Sequence, residues 1–168
     1  MQTGLQNNIA LGTNTTVAKY FTFSLSASAN NVLTTKALSR TYNPVTNEIE
    51  NTYNNKISGF STFSTSASMQ TTLYGMLNFK KGSAIQAIRH MMTPSIGFTY
   101  SPDFGTPGWG YFRNYYDMHG AMSAYSIFEG SVFGSPSVGL TQSLGFNIGN
   151  NIEMKVRSKK DSTGVKKV

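Results

Sequence analysis

From Val138 to Val156 the chain alternates, one face almost wholly apolar and the other wholly polar or glycine. Even positions carry Val138, Leu140, Gln142, Leu144, Phe146, Ile148, Asn150, Ile152, Met154 and Val156; odd positions carry Gly139, Thr141, Ser143, Gly145, Asn147, Gly149, Asn151, Glu153 and Lys155. Successive side chains of a strand point to opposite faces, so a period of two held this long specifies one extended strand, apolar on one side and polar on the other. At about 3.4 Å per residue it would reach roughly 60 Å. Ordinary strands have about five or six residues. A strand this long, with one apolar and one small-polar face, suits a barrel with lipid outside and water inside.

Composition agrees. Only 12% of the 168 residues are charged, while 12% are aromatic and 39% hydrophobic. Charge normally reaches about 25%, and here Ser, Thr, Asn and Gly replace it. Mean hydropathy alone would suggest a soluble chain, but half of every barrel strand faces water. There is no run of about 18 apolar residues, so no transmembrane helix is expected. Residues 1 to 16 have neither a basic start nor an apolar core, so the signal peptide of an outer-membrane protein is expected further upstream. Cysteine is absent, which removes disulfides and thiol chemistry without fixing the compartment.

Taken in order, the chain reads as an antiparallel up-and-down meander, about five to six strands in one domain. A short strand is expected at Leu5 to Leu11, with a turn at Gly12 to Thr16. The next strand starts near Val17, puts Phe21, Phe23 and Leu25 on one face, and continues to Tyr42. Asn43-Pro44 breaks it, and 43–55 reads as a polar loop or hairpin tip. A third strand spans Ile57 to Phe79, with Phe63, Leu73 and Leu77 opposite Ser64, Ser66 and Ser68. Lys80-Lys81-Gly82-Ser83 reads as a tight turn. The fourth strand, Ala84 to Tyr100, sets Ile88, Ile96 and Phe98 opposite Arg89, Thr93 and Ser95. Pro94 has no N–H and marks a bulge or gap in its ladder. Residues 101–130 read as a long loop with seven aromatics from Phe104 to Tyr125, candidates for an interfacial girdle. Ser158 to Gly164 reads as a turn, and Val165 to Val168 as the start of another strand. Long connections thus alternate with short ones, the outer-membrane pattern of long loops outside the cell and short turns within.

On this reading Phe21, Phe23, Phe63, Leu73, Ile96, Phe98, Leu144, Phe146 and Ile148 face lipid. Arg89, Thr93, Ser95, Thr141, Ser143 and Asn147 line a hydrated lumen. Arg89 either meets an anionic substrate there or pairs with an acidic neighbour; the pair is the expected role.

Reactive chemistry is sparse. The seven carboxylates show no acid/base spacing, with Glu48 and Glu50 reading as a solvated hairpin. His90 and His119 have no partner at metal-ligand spacing. No G-x-S-x-G elbow and no phosphate-binding glycine loop occurs. No catalytic residue, cofactor or metal is therefore expected. Net charge is +7, and six of the 14 basic residues lie in the tail: Lys155, Arg157, Lys159, Lys160, Lys166 and Lys167. Such a tail suits anionic lipid or nucleic acid, but no nucleic-acid motif accompanies it, and a solvated turn is the expected reading.

Three stretches carry a resemblance. They are Ala87-Ile88-Arg89-His90-Met91-Met92-Thr93-Pro94-Ser95, running on through Phe98, Tyr100, Pro102, Asp103 and Phe104; Trp109-Gly110-Tyr111; and Asn150-Asn151-Ile152-Glu153-Met154-Lys155-Val156-Arg157-Ser158-Lys159-Lys160-Asp161. Together they resemble the barrel region of LptD, the outer-membrane lipopolysaccharide-assembly family, in its Bacteroidota form, over most of residues 17 to 168. The resemblance implies a large integral outer-membrane barrel, not an enzyme, that receives lipopolysaccharide from periplasmic bridge proteins. It also implies a lipoprotein plug of the LptE kind inside the barrel and insertion of the lipid through a lateral opening. Five or six strands cannot close so wide a barrel, so the chain is expected to be an internal segment of a larger protein. Two rival readings stay open. One is a porin-like channel, and the other is a soluble β-sandwich that binds carbohydrate near Trp109.

Overall fold

The computed structural model describes residues 3–80, 83–157 and 165–167. It is all-β and antiparallel. The long strands are β1 (Gly4–Val17), β2 (Phe21–Thr34), β5 (Ser58–Thr71), β7 (Ile85–Ser101) and β10 (Thr141–Arg157). Between β2 and β5 the chain forms a separate hairpin, β3 (Ala37–Asn43) with β4 (Glu48–Asn54). Between β7 and β10 it forms a single 3₁₀ turn at Pro107–Trp109 and a second hairpin, β8 (Phe112–Tyr116) with β9 (Met122–Ser126). Two short strands, β6 (Leu73–Asn78) and β11 (Val165–Lys167), pair with β7 and β10. The main sheet runs β1-β2-β5-β7-β10-β11, a meander in which sequence neighbours are spatial neighbours.

Several boundaries differ from expectation. Residues 5–16 are not a short strand and a turn. They belong to one 14-residue strand, and the chain reverses at Ala18 and Lys19, both left-handed with φ 50° and 66°. The strand expected from Val17 to Tyr42 is two: the chain leaves the main sheet after Thr34, and Leu38 is buried with its N–H donated to the Ile127 carbonyl (2.8 Å). Half of the expected 43–55 loop is β4. The 101–130 loop contains a hairpin, and β10 starts at Thr141 rather than Val138. The turns expected at Lys81-Gly82 and Ser158 to Gly164 lie outside the described residues.

The ladder gap expected at Pro94 falls in its neighbour. β7 is continuous, but β5 ends at Thr71 and β6 resumes at Leu73. Continuing the Leu73–Met92 register by two residues sets Thr71 opposite Pro94, where the missing N–H removes a rung.

The chain divides into two compact units. The first comprises residues 1–12, 26–66 and 99–143. It holds both hairpins and every residue described as buried: Val32, Thr34, Leu38, Phe60, Phe104, Tyr125, Ser126, Phe128 and Pro136. The second comprises residues 13–25, 67–98 and 144–168, with the shorter connections. None of its described residues is buried.

Candidate functional site

Cross-strand contacts sort the side chains into two faces. On one face Gln6 donates to Asn30 (3.0 Å), and the hydroxyls of Ser26 and Ser66 (2.6 Å) and of Ser28 and Ser64 (2.9 Å) pair. The same face carries Arg89, whose Nη2 lies 3.1 Å from Glu153 Oε2, so the acidic-neighbour role holds in the structure. Thr93, Ser95, Asn147, Thr141 and Ser143 continue this polar side by alternation. The Ser95 hydroxyl donates to the Asn147 carbonyl (3.4 Å), and Gly149 lies beside Thr93, where a Cβ would make ordinary contact at 3.8 Å from the Thr93 Cβ. Thr141 and Ser143 are exposed.

The other face is apolar and open. Leu73 stands opposite Met92, and Leu77 opposite Ile88. Phe21, Leu73, Ile96, Phe98, Leu144, Phe146 and Ile148 are all exposed, Leu144 by 72% and Phe146 by 69%. Phe23 is half-buried. In the second unit a shallow groove on this face is lined by Phe21, Met69, Pro94, Ile96 and Phe146. One polar pair interrupts the face, His90 Nε2 with Asn150 Oδ1 at 3.0 Å. Leaving this much hydrocarbon in water costs about 25 cal/mol per Å². Exposed apolar patches of this extent mark surfaces that something else covers.

Phe63 has a different setting. Its ring meets Phe104 at 5.7 Å and Trp109 at 6.1 Å, so loop aromatics partly cover it. Trp109 stacks on Tyr111 (6.1 Å), and Tyr111 meets Phe60 and Phe128 edge-on. Phe128 closes the core against Phe60 at 4.8 Å and packs with Val32. Trp109 is therefore engaged by neighbouring rings, which weighs against a free carbohydrate platform. Tyr111 also caps a strand edge: its hydroxyl accepts from the Ser61 N–H (2.9 Å) and donates to the Ser61 carbonyl (3.1 Å). A single phenol thus takes the place of a neighbouring strand at Ser61.

Arg40 joins the two loop hairpins, and sequence reasoning missed it. Its Nε donates to Asn51 (2.8 Å) on the paired strand, and its Nη2 to Glu129 (3.0 Å). Its guanidinium lies 5.4 Å and 5.3 Å from the Tyr115 and Tyr125 ring centroids. A planar cation held by a carboxylate, an amide and two ring faces is a task that Arg performs and Lys does not. The alternation of β3 offered one signal, an Arg among residues otherwise fit for a strand.

Two further carboxylates, Asp103 and Asp117, serve the backbone. Asp103 Oδ1 accepts from the N–H groups of Gly105 (2.7 Å) and Gly139 (2.8 Å), fixing the approach to β10. Asp117 Oδ1 accepts from His119 and Ala121 (both 2.8 Å), setting the β8–β9 turn in which Gly120 is left-handed, φ 74°. Glu50 instead accepts from the Asn43 side-chain amide (2.5 Å). Among the described residues no group of three or more His, Cys, Asp or Glu could hold a metal ion.

These features define an all-β protein of long, two-faced strands whose conspicuous surface is a sheet face rather than a pocket. Compared with known families, the whole chain, residues 1–168, matches the model of the LptD protein, and the chain belongs to that family. The LptD family serves lipopolysaccharide transport and assembly at the outer membrane; it is not a family of enzymes. No curated protein and no solved structure matches the chain.

Proposed function

We propose that this chain forms part of the wall of an outer-membrane β-barrel that inserts lipopolysaccharide into the outer leaflet. The observation that carries the reading is the second unit: long strands, one face of exposed Phe, Leu, Ile and Met, the other of Ser, Thr, Asn and Gly, and no buried described residue. A soluble sheet with such a face must cover it with a second layer. A membrane sheet lays it against lipid and needs no layer.

On this reading Phe21, Phe23, Leu73, Ile96, Phe98, Leu144, Phe146 and Ile148 meet hydrocarbon, with Phe63 at the margin beneath the loop aromatics. Arg89, Thr93, Ser95, Thr141, Ser143 and Asn147 border a hydrated path for the sugar portion of the lipid. β1 and β11 stand at the two edges of the described sheet. Unpaired edges are costly in lipid, so residues 1–168 are read as one segment of a larger closed barrel. The long connections and their hairpins face the cell exterior; the short ones face the periplasm. A lipoprotein plug of the LptE kind and periplasmic bridge proteins are the partners this role requires. The three motifs around Arg89, Trp109 and Glu153 support the Bacteroidota form.

Selectivity needs no catalytic group. It comes from a polar lumen for sugar, an apolar exterior for acyl chains, and energy supplied from outside this chain. Depleting the protein in its native cell tests the role. Newly made lipopolysaccharide should stop reaching the surface while uptake of small hydrophilic solutes stays normal. Normal surface delivery with reduced solute uptake would replace transport by the porin reading.

A further inference from the structure

The charge of this chain is divided very unevenly. The stretches forming the second unit contain ten of the 14 basic residues and two of the seven acidic ones, a net of +8; those forming the first contain four and five, a net of −1. Part of the excess gathers at one pocket. Met76 stands opposite Arg89 and Asn78 opposite Ala87, so these residues lie on the polar face that the Arg89–Glu153 pair defines. The Phe79 N–H donates to the Gln86 carbonyl (2.9 Å), which carries the pairing on to Lys80. Lys155 shares the face of Glu153 by alternation. Met76, Asn78, Lys80, Ala87 and Lys155 line an open pocket of about 300 Å³, bordered also by Phe79 and Gln86, which alternation assigns to the other face.

We propose that this pocket binds the phosphate group of an amphiphilic lipid at the periplasmic end of the polar face, an assignment resting on the transport reading above. Its donors suit that group. Two ammonium groups offer compact point charge, and the Asn78 side chain offers amide N–H groups. No carboxylate lines the pocket. Glu153 is engaged with Arg89, while Lys80 and Lys155 have no ion-pair partner among the described residues. Met76 and Ala87 supply an apolar floor, as a charged group attached to hydrocarbon requires. Lysine ammonium to phosphate is a charge-assisted contact of the stronger kind.

The test uses the full-length protein in its native assembly, in mild detergent. The probes are lipopolysaccharide, the same preparation stripped of phosphate, and phosphatidylglycerol. The double charge reversal Lys80→Glu with Lys155→Glu should weaken binding of phosphorylated lipopolysaccharide by about tenfold or more. It should leave the stripped form unaffected. Lys80→Arg with Lys155→Arg should retain binding, and Lys80→Gln with Lys155→Gln provides a neutral variant should the reversal fail to assemble. The phosphatidylglycerol arm distinguishes cargo phosphate from that of ordinary membrane lipid: a selective loss on either phosphate-bearing lipid supports the site and names its source. Equal binding of phosphorylated and stripped forms by the native protein, or equal losses on both in the variant, would overturn it. So would loss of a co-purifying acidic protein with lipid binding intact. Failure of the native protein to bind either glycolipid form would contradict the transport reading, and phosphatidylglycerol would still decide the pocket.

Discussion

Phe146→Arg is expected to prevent assembly of the protein into the outer membrane. Phe146 is 69% exposed, in the first half of β10, on the apolar face. An arginine at the bilayer midplane of a barrel costs about 2–4 kcal/mol. That is roughly 30- to 700-fold in an equilibrium constant. In a water-soluble sheet the same change at so exposed a position would fall within about ±0.5 kcal/mol and would improve solubility. The two accounts therefore differ in both size and sign. Asn147→Arg is the matched control, one residue along and on the opposite face, where a hydrated lumen tolerates charge. The readout is the folded, heat-modifiable fraction recovered with outer membranes. A large loss for Phe146→Arg with near-native recovery for Asn147→Arg is the expected pair. Equal recovery of both would remove the lipid-facing assignment.

The second large effect lies in the loop core. Phe128→Ala should destabilise the first unit by about 3–5 kcal/mol, the usual cost of emptying a buried phenylalanine site. Phe128 is 1% exposed and packs on Phe60, Val32 and Tyr111. Tyr111 in turn closes the Ser61 edge through its hydroxyl, so loosening its packing also releases two backbone groups. Limited proteolysis within residues 101–140 should become much faster while the strands of the second unit stay protected. Val45→Ala, at a site 90% exposed on the β3–β4 tip, should change the rate little. Unchanged protection in Phe128→Ala would mean that this aromatic cluster does not hold the loops.

What sequence reasoning could and could not reach follows from the forces involved. The strands β7 and β10 were legible because alternation is a local consequence of backbone geometry, and both faces are chemically distinct over 17 residues. The full length of β1 is hidden in the sequence because Asn7, Thr13 and Thr15 share a face with Leu5, Ile9, Leu11 and Val17, which blurs the period. Its end at Ala18-Lys19 carries no Gly or Asn, the residues that ordinarily announce a left-handed turn. The departure of β3 from the main sheet depends on distant partners, the Ile127 carbonyl and the Arg40–Glu129 contact, which no local pattern encodes. The β8–β9 hairpin did leave a trace, Asp117 followed by Gly120, a turn pair within a run rich in tyrosine. The apolar and polar faces of β10 were separable in the sequence. The cover over Phe63 and the pocket at Lys80 and Lys155 were not, because each is assembled from segments far apart along the chain.

The measurement that bears most directly on the membrane-wall reading is protease accessibility of Gly108 to Tyr116 on intact cells, combined with envelope fractionation. This segment spans the end of the 3₁₀ turn and β8, within the long connection between β7 and β10. The account expects recovery in the outer membrane and cleavage in this segment without breaching the cell, with the short connections protected until the envelope is opened. Recovery as a detergent-free soluble protein, or cleavage at the short connections first, would contradict it.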